Sequence, residues 1–543
     1  MARKHGGIRW YIAAAWAGVV SALIVLAVSE ALALLVAREG SPILAVGSFV
    51  IDIVPQPVKE LAISTFGEYD KIALLVGLGL AVIVAAAVGG MLQLRWPPAG
   101  LGVIALAGAA ATAATVTRAG ATALAWVPVV VGTAAGAVAL WGFVRVLVRW
   151  RDAATHPPVN EAPVDRLAGG QLLETPTVHP KKAATDGTLD RRGFFVLTAV
   201  SAVAAIAIGV GARVANVASA SVEAARRAFR IPEPRSRVLI PEGAELDIAD
   251  VSKLFTPNAD FYRVDTALTV PSIDPATWRL IVTGMVEAPF DIGYQDLRDM
   301  GLDEYVVTLT CVSNEVGGGL VGNAKWLGVP IRDLLARAKP QSGADMVLSR
   351  SVDGYTASTP LSALTDPETD AILAVAMNGE PLPLEHGYPV RMVVPGLYGY
   401  VSATKWLTEL KVTTFAQDEA YWTPRGYSAE APIKFSSRVD TPRAGKRVTA
   451  GTIPIAGVAW AQNVGIERVE VSIDDEPWQM ATLSTAVNDD SWVQWFYEWE
   501  ATSGSHYVTV RAVNRAGEMQ IEEAAPIAPN GSSGWQRTLI LVD

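Results

Sequence analysis

The sequence predicts three folded parts in chain order: an all-α transmembrane bundle, an α+β domain and a C-terminal β-sandwich. Long uncharged runs fill much of the first 212 residues, short strand-like runs broken by Gly, Pro, Asn and Asp begin near residue 246, and alternating strands occupy 426–543. A chain of 543 residues is too long for a single core. The apolar fraction of the whole chain is 51%, and the first 150 residues hold most of the hydrophobic excess. This distribution indicates a membrane part.

Five uncharged runs predict membrane-spanning helices, because a helix needs about 20 apolar residues to cross the hydrocarbon core. They are residues 10–29, 72–94, 96–117, 119–144 and 193–212. Residues 1–150 therefore form a predicted four-span region, and 193–215 hold the fifth span. Segment 40–58 is also apolar, but Asp52, Pro55 and Pro57 interrupt it. It is predicted to be an interfacial or re-entrant piece.

The distribution of basic residues predicts a cytoplasmic N-terminus, since cytoplasmic loops carry an excess of Lys and Arg. On this assignment the cytoplasmic side holds Arg3, Lys4, Arg9, Arg95, Arg145, Arg149, Arg151, Lys181, Lys182, Arg191 and Arg192. Arg38, Lys59, Lys71 and Arg118 would lie outside, so the rule is followed only in part. Five crossings place everything after about residue 215 outside the cytoplasm.

Residues 151–192 predict a flexible cytoplasmic linker, because they are rich in Pro, Ala, Thr and charge and have little periodicity. The linker ends in the pair Arg191 and Arg192, directly before an apolar run. This pair is either a positive-inside anchor or an internal twin-arginine export signal, and the residues leave both open. Residues 216–245, Ala/Arg-rich and then Pro-rich, predict a neck.

Charge, histidine and cysteine content exclude several classes of function. The net charge of -10 argues against a nucleic-acid partner. The single cysteine excludes an intrachain disulfide and Cys-rich zinc or iron–sulfur sites. No histidine lies in a predicted span and no C-x-x-C-H occurs, which excludes a membrane bis-histidine haem and a c-type haem. Glu30 is either an intramembrane functional acid or an interfacial residue near Arg38, and we favour the second interpretation.

Cys311 is the residue around which the α+β domain is interpreted. The strand-like run 305–309 precedes it, and a loop ending in three glycines at 317–319 follows it. By itself, a lone cysteine is most often a small buried hydrophobe. Two other elements can be predicted in this domain from residue pattern: a strand at 277–284 with Trp278, Leu280 and Val282 on one face, and a short helix at 330–338.

Three ordered blocks of sequence carry a resemblance to a known family. They are Phe261-Tyr262-Arg263 with Trp278 and Gly284, then Leu309-Thr310-Cys311 with Asn314 and 324–330, and then 386–396 with Gly399 and Lys405-Trp406-Leu407. Together they resemble the molybdenum-cofactor domain of the sulfite oxidase family. The resemblance implies an α+β molybdopterin-binding catalytic domain over 246–425.

The resemblance also implies roles for individual residues. Molybdenum would be held by the pterin dithiolene, by oxo or hydroxo groups and by one protein thiolate, which by position is Cys311. A soft thiolate suits such a metal. Arg263 would be a substrate-facing cation in the metal pocket. The implied cations near the pterin phosphate are His386, Arg391 and Lys405. The other implied cofactor-binding residues are Tyr262, Asn314, Asp353, Tyr355, Gly399 and Ser402.

Alternatives and departures limit what the resemblance implies. Taken alone, His386 would cap a turn and Arg391 would pair with a carboxylate. Sulfite-oxidising members have a basic pair where this chain has Glu315 and Val316, and they have Asn-His where it has 264–265, Val-Asp. The segment 399–405 is one residue longer. An acidic Glu315 at the mouth of the site disfavours a dianionic substrate.

The alternating residues of 426–543 predict a β-sandwich. Its predicted strands are 457–460, 466–474, 495–499 and 507–512. The segment resembles the immunoglobulin-like domain that follows the molybdenum domain in the same family, where it often mediates dimerisation. Trp460, Trp495 and Trp499 are predicted to be core or interface aromatics.

The sequence thus predicts a membrane-anchored, extracytoplasmic molybdopterin oxidoreductase that performs two-electron oxygen-atom transfer. Electrons are expected to pass to or from an external cytochrome or quinone-linked partner. A true sulfite oxidase, and a non-catalytic receptor on a degenerate molybdenum fold, are the alternatives. The expected partners include the lipid membrane and exclude nucleic acid, and a homodimer or membrane complex is left open.

Overall fold

The structure, a computed structural model, describes residues 5–36, 41–55, 58, 65–66, 70–117, 123–155, 191–216 and 219–543. The chain divides into two compact units, Met1–Val217 and Ala218–Asp543. Most of the predicted linker, residues 156–190, lies outside the described residues, as do Arg38, Lys59 and Arg118 of the orientation argument.

The first unit is helical. Its helices are α1 (His5–Val36), α2 (Pro42–Ile53), α3 (Asp70–Arg95), α4 (Ala99–Val116), α5 (Val127–Thr155) and α6 (Arg191–Asn216). Five segments in them are long and apolar enough to cross a membrane, which agrees with the predicted number and suggests membrane association. Helix α2 has 12 residues. At a rise of about 1.5 Å per residue it is shorter than the hydrocarbon core.

The predicted limits of the fourth span are wrong. The uncharged run is 119–144, whereas helix α5 is Val127–Thr155. Pro128 stands in the first turn, where the missing N–H of proline costs no helical hydrogen bond. The helix continues past the charged residues because a basic side chain does not end a helix, and the Arg145 guanidinium lies 4.9 Å from the centre of the Trp141 ring.

Small residues allow the helices of the first unit to approach closely. A Cβ atom on Gly90 would lie 2.0 Å from the carbonyl oxygen of Ala14, and one on Gly18 would lie 2.0 Å from that of Ala86. Helices α1 and α3 therefore cross with backbone in contact, as small residues permit in membrane helices.

Glu30 has a buried side chain in the first unit. Its predicted place at the membrane interface stays a prediction. The hydroxyl of Ser41, just before α2, donates a hydrogen bond of 2.7 Å to its Oε1. A buried carboxyl needs such a donor, which the sequence pattern did not reveal.

The α+β part of the second unit contains two sheets. Its strands are β1 (Arg279–Gly284), β2 (Phe290–Gly293), β3 (Asp303–Thr310), β4 (Val321–Pro330), β5 (Met346–Ser351), β6 (Thr356–Pro360), β7 (Ile372–Met377), β8 (Glu380–Pro381), β9 (Arg391–Val393) and β10 (Leu407–Thr413). The orders are β2-β1-β10-β5-β6 and β3-β4-β7-β8, with β9 on β7. Strand β3 is an edge strand.

Short helices join these strands. They are α7 (Ser219–Ala228), α8 (Tyr294–Asp299), α9 (Ile331–Ala338), α10 (Leu361–Thr365) and α11 (Gly399–Ser402). The predicted strand at 277–284 and helix at 330–338 are confirmed as β1 and α9. Trp278, Leu280 and Val282 are all buried in one core, as alternation predicts.

The predicted neck packs against the α+β domain. Phe229 and Ile231 pack against its main core. The Arg226 guanidinium donates to the carbonyl oxygen of Pro381 at 3.2 Å, and the backbone N–H of Glu304 in β3 donates to Ser236 at 3.0 Å. Residues of 216–245 after the unit boundary therefore belong structurally to the second unit.

The C-terminal part is a sandwich of two sheets. Its strands are β11 (Ser436–Thr441), β12 (Arg447–Val448), β13 (Gly451–Trp460), β14 (Ile466–Ile473), β15 (Gln479–Met480), β16 (Thr482–Leu483), β17 (Val493–Ala501), β18 (Gly504–Asn514) and β19 (Gln536–Val542). The sheets are β11-β13-β17-β16 and β12-β19-β18-β14-β15. Trp495 and Trp499 lie in its core, whereas Trp460 clusters with Val321 of the α+β domain.

Candidate active site

Strand β3 delivers Cys311 to a tight loop. The Cys311 N–H donates to the carbonyl oxygen of Leu320 at 2.9 Å, and the Asn314 N–H donates to the Cys311 carbonyl at 3.0 Å. Gly317 has a φ of 76°, a conformation that favours glycine. Burial raises the pKa of the Cys311 thiol, while hydrogen bonds from Ser313 oppose this shift. The thiol is thus positioned by the backbone of its loop.

A cavity opens beside the thiol. Its walls come from the segment after Phe261, the cysteine loop, the β5–β6 turn, the His386 segment, helix α11 and the start of β10. The lining residues are Phe261, Tyr262, Val264, Asp265, Thr266, Cys311, Val312, Ser313, Ser351, Asp353, Tyr355, His386, Arg391, Gly399, Tyr400, Ala403, Lys405, Trp406, Trp422 and Tyr427.

Arg391 is a buried cation at this wall. Its guanidinium donates to the carbonyl oxygens of Met392, His386 and Ala403 at 3.2–3.4 Å and lies 5.2 Å from the centre of the Trp326 ring. Within the described parts of the chain no carboxylate pairs with it. Burial lowers the pKa of Arg391 to about 10. A buried guanidinium whose partners are carbonyl dipoles and an aromatic ring favours the binding of an anion.

His386 stands next to Arg391 in its neutral form. Its Nε2 is 3.2 Å from the carbonyl oxygen of Asn258, and the Phe261 ring packs edge-on at 5.6 Å between ring centres. Burial, reinforced by the charges of Arg391 and Lys405, lowers the pKa of His386 to about 4. At neutral pH the ring is a hydrogen-bonding group without a charge.

Lys405 shares its charge with a carboxylate. Its ammonium donates to Asp265 at 2.8 Å and to the Glu385 carbonyl at 3.0 Å. Burial lowers the pKa of Lys405 to about 8, although Asp265 opposes the shift. Asp265 also accepts a hydrogen bond of 2.8 Å from Arg263. Asp265 therefore links one buried and one exposed cation.

Two further predicted residues, Asp353 and Tyr355, lie in one turn. The Tyr355 N–H donates to Asp353 at 3.2 Å, and its hydroxyl donates to the Tyr400 carbonyl at 2.7 Å. Burial raises the pKa of Tyr355 and of Tyr262, and the nearby Cys311 adds to both shifts. Both tyrosines are thus neutral walls of the cavity.

The structure brings eight of the predicted site residues to the cavity wall: Tyr262, Cys311, Asp353, Tyr355, His386, Arg391, Gly399 and Lys405. Three others are placed elsewhere. Asn314 accepts the Leu320 N–H at 2.8 Å and closes the cysteine loop. Ser402 donates to the Tyr398 carbonyl at 3.0 Å inside α11. Arg263, with 40% of its side chain exposed, lies outside the lining set.

Glu315 is also exposed and lies outside the lining residues. Its expected effect on a dianionic substrate stays a prediction. The carboxylates in the wall are those of Asp265 and Asp353. Because Asp265 is paired with Arg263 and Lys405, repulsion of a dianion inside the cavity would come mainly from Asp353.

The sequence motifs did not identify the aromatic residues of the cavity wall as site residues. Tyr400, Trp406, Trp422 and Tyr427 contribute to it together with Phe261. Trp422 and Tyr427 pack edge-on, with ring centres 5.3 Å apart. The only sequence signal for this pair is the density of aromatic residues in the segment joining the α+β domain to the sandwich.

The donor set fits a thiolate-bound metal carried by an anionic cofactor. Cys311 lies in no group of three or more His, Cys, Asp or Glu side chains that would hold a metal, as judged over the described ranges. A metal at Cys311 therefore needs further ligands from a cofactor. Buried Arg391 and Lys405, with neutral His386, match a phosphate-bearing group on the same wall.

Comparisons with known proteins agree with this arrangement. Residues 267–422 match the oxidoreductase molybdopterin binding domain, and residues 436–510 match a bacterial Ig domain. The mitochondrial sulfite oxidase of Homo sapiens is 31% identical over 338 residues, which are 53% of this chain and 62% of that protein. The NADPH nitrate reductase of Fusarium oxysporum is 34% identical over 168 residues, which are 27% of this chain and 18% of that protein.

Among solved structures, the sulfane dehydrogenase SoxCD from Paracoccus pantotrophus has 22% identity and a TM-score of 0.48, covering 56% of this chain and 86% of that one. The chain spans less than two thirds of the length of the human enzyme. The domain matches confirm the predicted three-part fold and imply molybdopterin as the cofactor.

Acidification is expected to destabilise the second unit through His386, whose pKa falls from 6.5 to about 4 on folding. Between these values the unfolded chain binds a proton that the folded chain does not, so the free energy of unfolding decreases as pH falls. His386→Gln should reduce this slope, as measured by thermal unfolding of the full chain in detergent across that window.

His506→Gln is the matched control. A hydrogen bond to Asp474 raises the pKa of this histidine, so its charging stabilises the fold at low pH and is lost as pH rises. Removing it should leave the acid-induced loss in place. An unchanged slope in His386→Gln would contradict the assignment of this loss to His386.

Proposed function

We propose that this chain, whose residues 267–422 are a molybdopterin-binding domain of the sulfite oxidase family, is a membrane-anchored oxidoreductase that performs two-electron oxygen-atom transfer. The observation that carries the proposal is the placement of Cys311 and Arg391 on one cavity wall. Among the described residues, no carboxylate pairs with the buried guanidinium of Arg391. One supplies a thiolate ligand and the other a buried charge for an anionic cofactor.

Four residues of this chain have separate proposed roles at the site. Cys311 is proposed to ligate molybdenum, and the bound cofactor supplies the two-electron redox chemistry. Arg391 and Lys405 hold the phosphate, with His386 as a neutral hydrogen-bonding neighbour. A dianionic phosphate near Lys405 competes with Asp265 for its ammonium and would favour the protonated lysine.

Aromatic groups are proposed to form the substrate side of the cavity. Tyr355, Tyr400, Trp422 and Tyr427 line it. The Tyr355 and Tyr400 hydroxyls donate to the carbonyl oxygens of Tyr400 and Ser428, each at 2.7 Å, which commits both donors to backbone. This wall therefore favours neutral substrates over small dianions, which need several hydrogen-bond donors or cations.

Arg263 is proposed to act at the outer end of this wall. It is exposed and pairs with Asp265 at 2.8 Å, one residue from Val264 in the lining. A substrate-facing role would require it to leave Asp265. Asp265 is buried but would keep Lys405 as its second cation, so its charge would not be left without a partner.

Electron exchange is proposed to use an external cytochrome or quinone-linked partner. The single cysteine of this chain is already assigned to molybdenum, which leaves no thiolates for an iron–sulfur cluster. The five apolar helices are proposed as the cell-membrane anchor, with the catalytic domain outside the cytoplasm. Basic residues flanking the spans support this orientation.

Sulfite oxidation is the second candidate. The name of the human relative favours it, and the cations Arg263, Arg391 and Lys405 are compatible with an anionic substrate. The lining carboxylate of Asp353 opposes it, whereas that of Asp265 is paired with Arg263 and Lys405.

Purified full-length protein is expected to contain molybdenum and pterin, and Cys311→Ser should lose the metal. Changes to residues around a metal site usually cost about 10–100-fold in activity. Loss of the ligand itself should lower activity by more than this. Metal analysis and pterin fluorescence measure both. Thr310→Val, which removes a buried hydroxyl without a partner in the described structure, should keep the metal.

Retention of molybdenum and full activity in Cys311→Ser would overturn the assignment of the ligand. Wild-type protein without molybdenum or pterin, after expression in cells that make the cofactor, would instead favour the non-catalytic binding protein.

Steady-state assays with artificial electron carriers should give a higher kcat/KM for sulfoxides, which are neutral oxygen-atom donors, than for sulfite. The reason is that the Asp353 carboxylate lines the cavity and the Tyr355 and Tyr400 hydroxyls are already bonded to backbone. The two substrates are compared at one ionic strength, since screening alters the interaction with a dianion. A higher kcat/KM for sulfite would select the second candidate.

A reporter enzyme that is active only outside the cytoplasm should be active when fused after Ile240 and inactive when fused after Leu167, in the predicted linker. The expectation follows from five crossings with a cytoplasmic N-terminus. Activity of the Leu167 fusion alone would reverse the proposed orientation.

A further inference from the structure

The outer edge of β3 is covered by the sandwich domain. Strand β3 pairs only with β4 in its sheet, so alternate backbone groups on its other side need different partners. Asn488 Nδ2 donates to the Val306 carbonyl at 2.9 Å. The Thr308 N–H donates to the Asp490 carbonyl at 3.0 Å, and Gln462 Nε2 donates to the Thr308 carbonyl at 2.7 Å.

These partners come from two loops at one end of the sandwich. Gln462 follows β13, and Asn488 and Asp490 precede β17. The loops are joined by the Asn463 N–H, which donates to the Asp490 carboxylate at 3.2 Å. The Trp492 N–H adds a bond of 2.8 Å to the Thr308 hydroxyl. Together they replace the strand that β3 lacks on this side.

The sandwich domain also holds the loop after the cysteine. The Ser532 hydroxyl donates to the Asn314 carbonyl at 2.7 Å. The Arg438 guanidinium donates to the Gly318 carbonyl at 2.8 Å. A Cβ on Gly317 would lie 2.7 Å from the Gln536 side chain, so the loop and the sandwich are in close contact.

We propose that the immunoglobulin-like domain is a positioning element of the metal site, which holds Cys311 from both sides through Gln462 and Asn488 before it and Ser532 and Arg438 after it. These residues act through the backbone of β3 and the cysteine loop and touch no substrate. The inference deepens the proposed function and rests on it only for the role of Cys311 as a ligand.

The physical reason lies in the opening of an edge strand. A free edge frays because its outward N–H and C=O groups exchange between water and protein. Capping Val306 and Thr308 removes this freedom three to five residues before the thiol. A thiolate ligand must stay within a few tenths of an ångström of its bonding position, so slight fraying of β3 would weaken metal binding.

The test uses the reactivity of Cys311 in cofactor-free, full-length protein in detergent. Because this is the only cysteine of the chain, the rate of alkylation by iodoacetamide reports on one buried thiol. Gln462→Leu removes the donor to β3 together with an amide oxygen that has no partner among the described residues. The free energy of unfolding should fall by no more than about 1–3 kcal/mol, the cost of leaving the Thr308 carbonyl without a donor.

Alkylation of Gln462→Leu should be about five times faster than that of wild type, equivalent to the roughly 1 kcal/mol of one hydrogen bond. Asn488→Ala should behave alike, since its Oδ1 also lacks a partner in the described structure; it serves as the second variant if Gln462→Leu does not fold. Ser472→Ala, which loses a 2.7 Å bond to Glu476 inside the sandwich, is the matched control and should alkylate at the wild-type rate.

Equal rates in all variants, or equal acceleration in Ser472→Ala, would overturn the proposal, because the cap would then have no local effect on the thiol. The same variants, loaded with cofactor, should release molybdenum faster during gel filtration. If Cys311→Ser keeps its molybdenum while Gln462→Leu still accelerates alkylation, the positioning inference stands and the proposed ligand role fails.

Discussion

The open edge of strand β3 is the constraint on which the arrangement of the second unit depends. Buried backbone groups need hydrogen-bond partners, and this strand has a sheet neighbour on one side only. Ser236 of the neck bonds Glu304, and loops of the sandwich bond Val306 and Thr308. Three segments that are distant in sequence meet on this strand, which ends at Thr310, directly before Cys311. All three therefore bond the strand that delivers the thiol.

Burial without full charge pairing is the second property of the site. Arg391 and Lys405 have lowered pKa values because both are removed from water. The stabilisation that each lacks is available from an anion entering the cavity, so the same burial that destabilises the protein favours binding of a phosphate-bearing group. Asp265 supplies part of this stabilisation for Lys405, and also binds the exposed Arg263. Of the cations that the motifs suggest for ligand binding, Lys405 and Arg263 therefore already share one carboxylate.

Local pattern predicted much of the fold. The alternation in 277–284, the proline before helix α9 and the apolar runs of the first unit are properties of contiguous residues, and periodicity reports on them directly. The limits of helix α5 were not predictable in this way, because charge is a weak signal for a helix end. The burial of Glu30 was not predictable for a similar reason: its hydrogen bond from Ser41 depends on how two segments pack.

The sequence by itself determined the three-part organisation and the resemblance to a molybdopterin-binding family, and it predicted the set Cys311, His386, Arg391 and Lys405, because each of these residues lies within a contiguous motif. Only the tertiary structure decided that Asp265 binds Lys405 across 140 residues and that Gln462 bonds Thr308 across 154. It also decided that Asn314 and Ser402 close backbone turns instead of lining the cavity, and that aromatic residues complete the wall. Such pairings follow from how strands and loops pack against one another, and no local pattern encodes them.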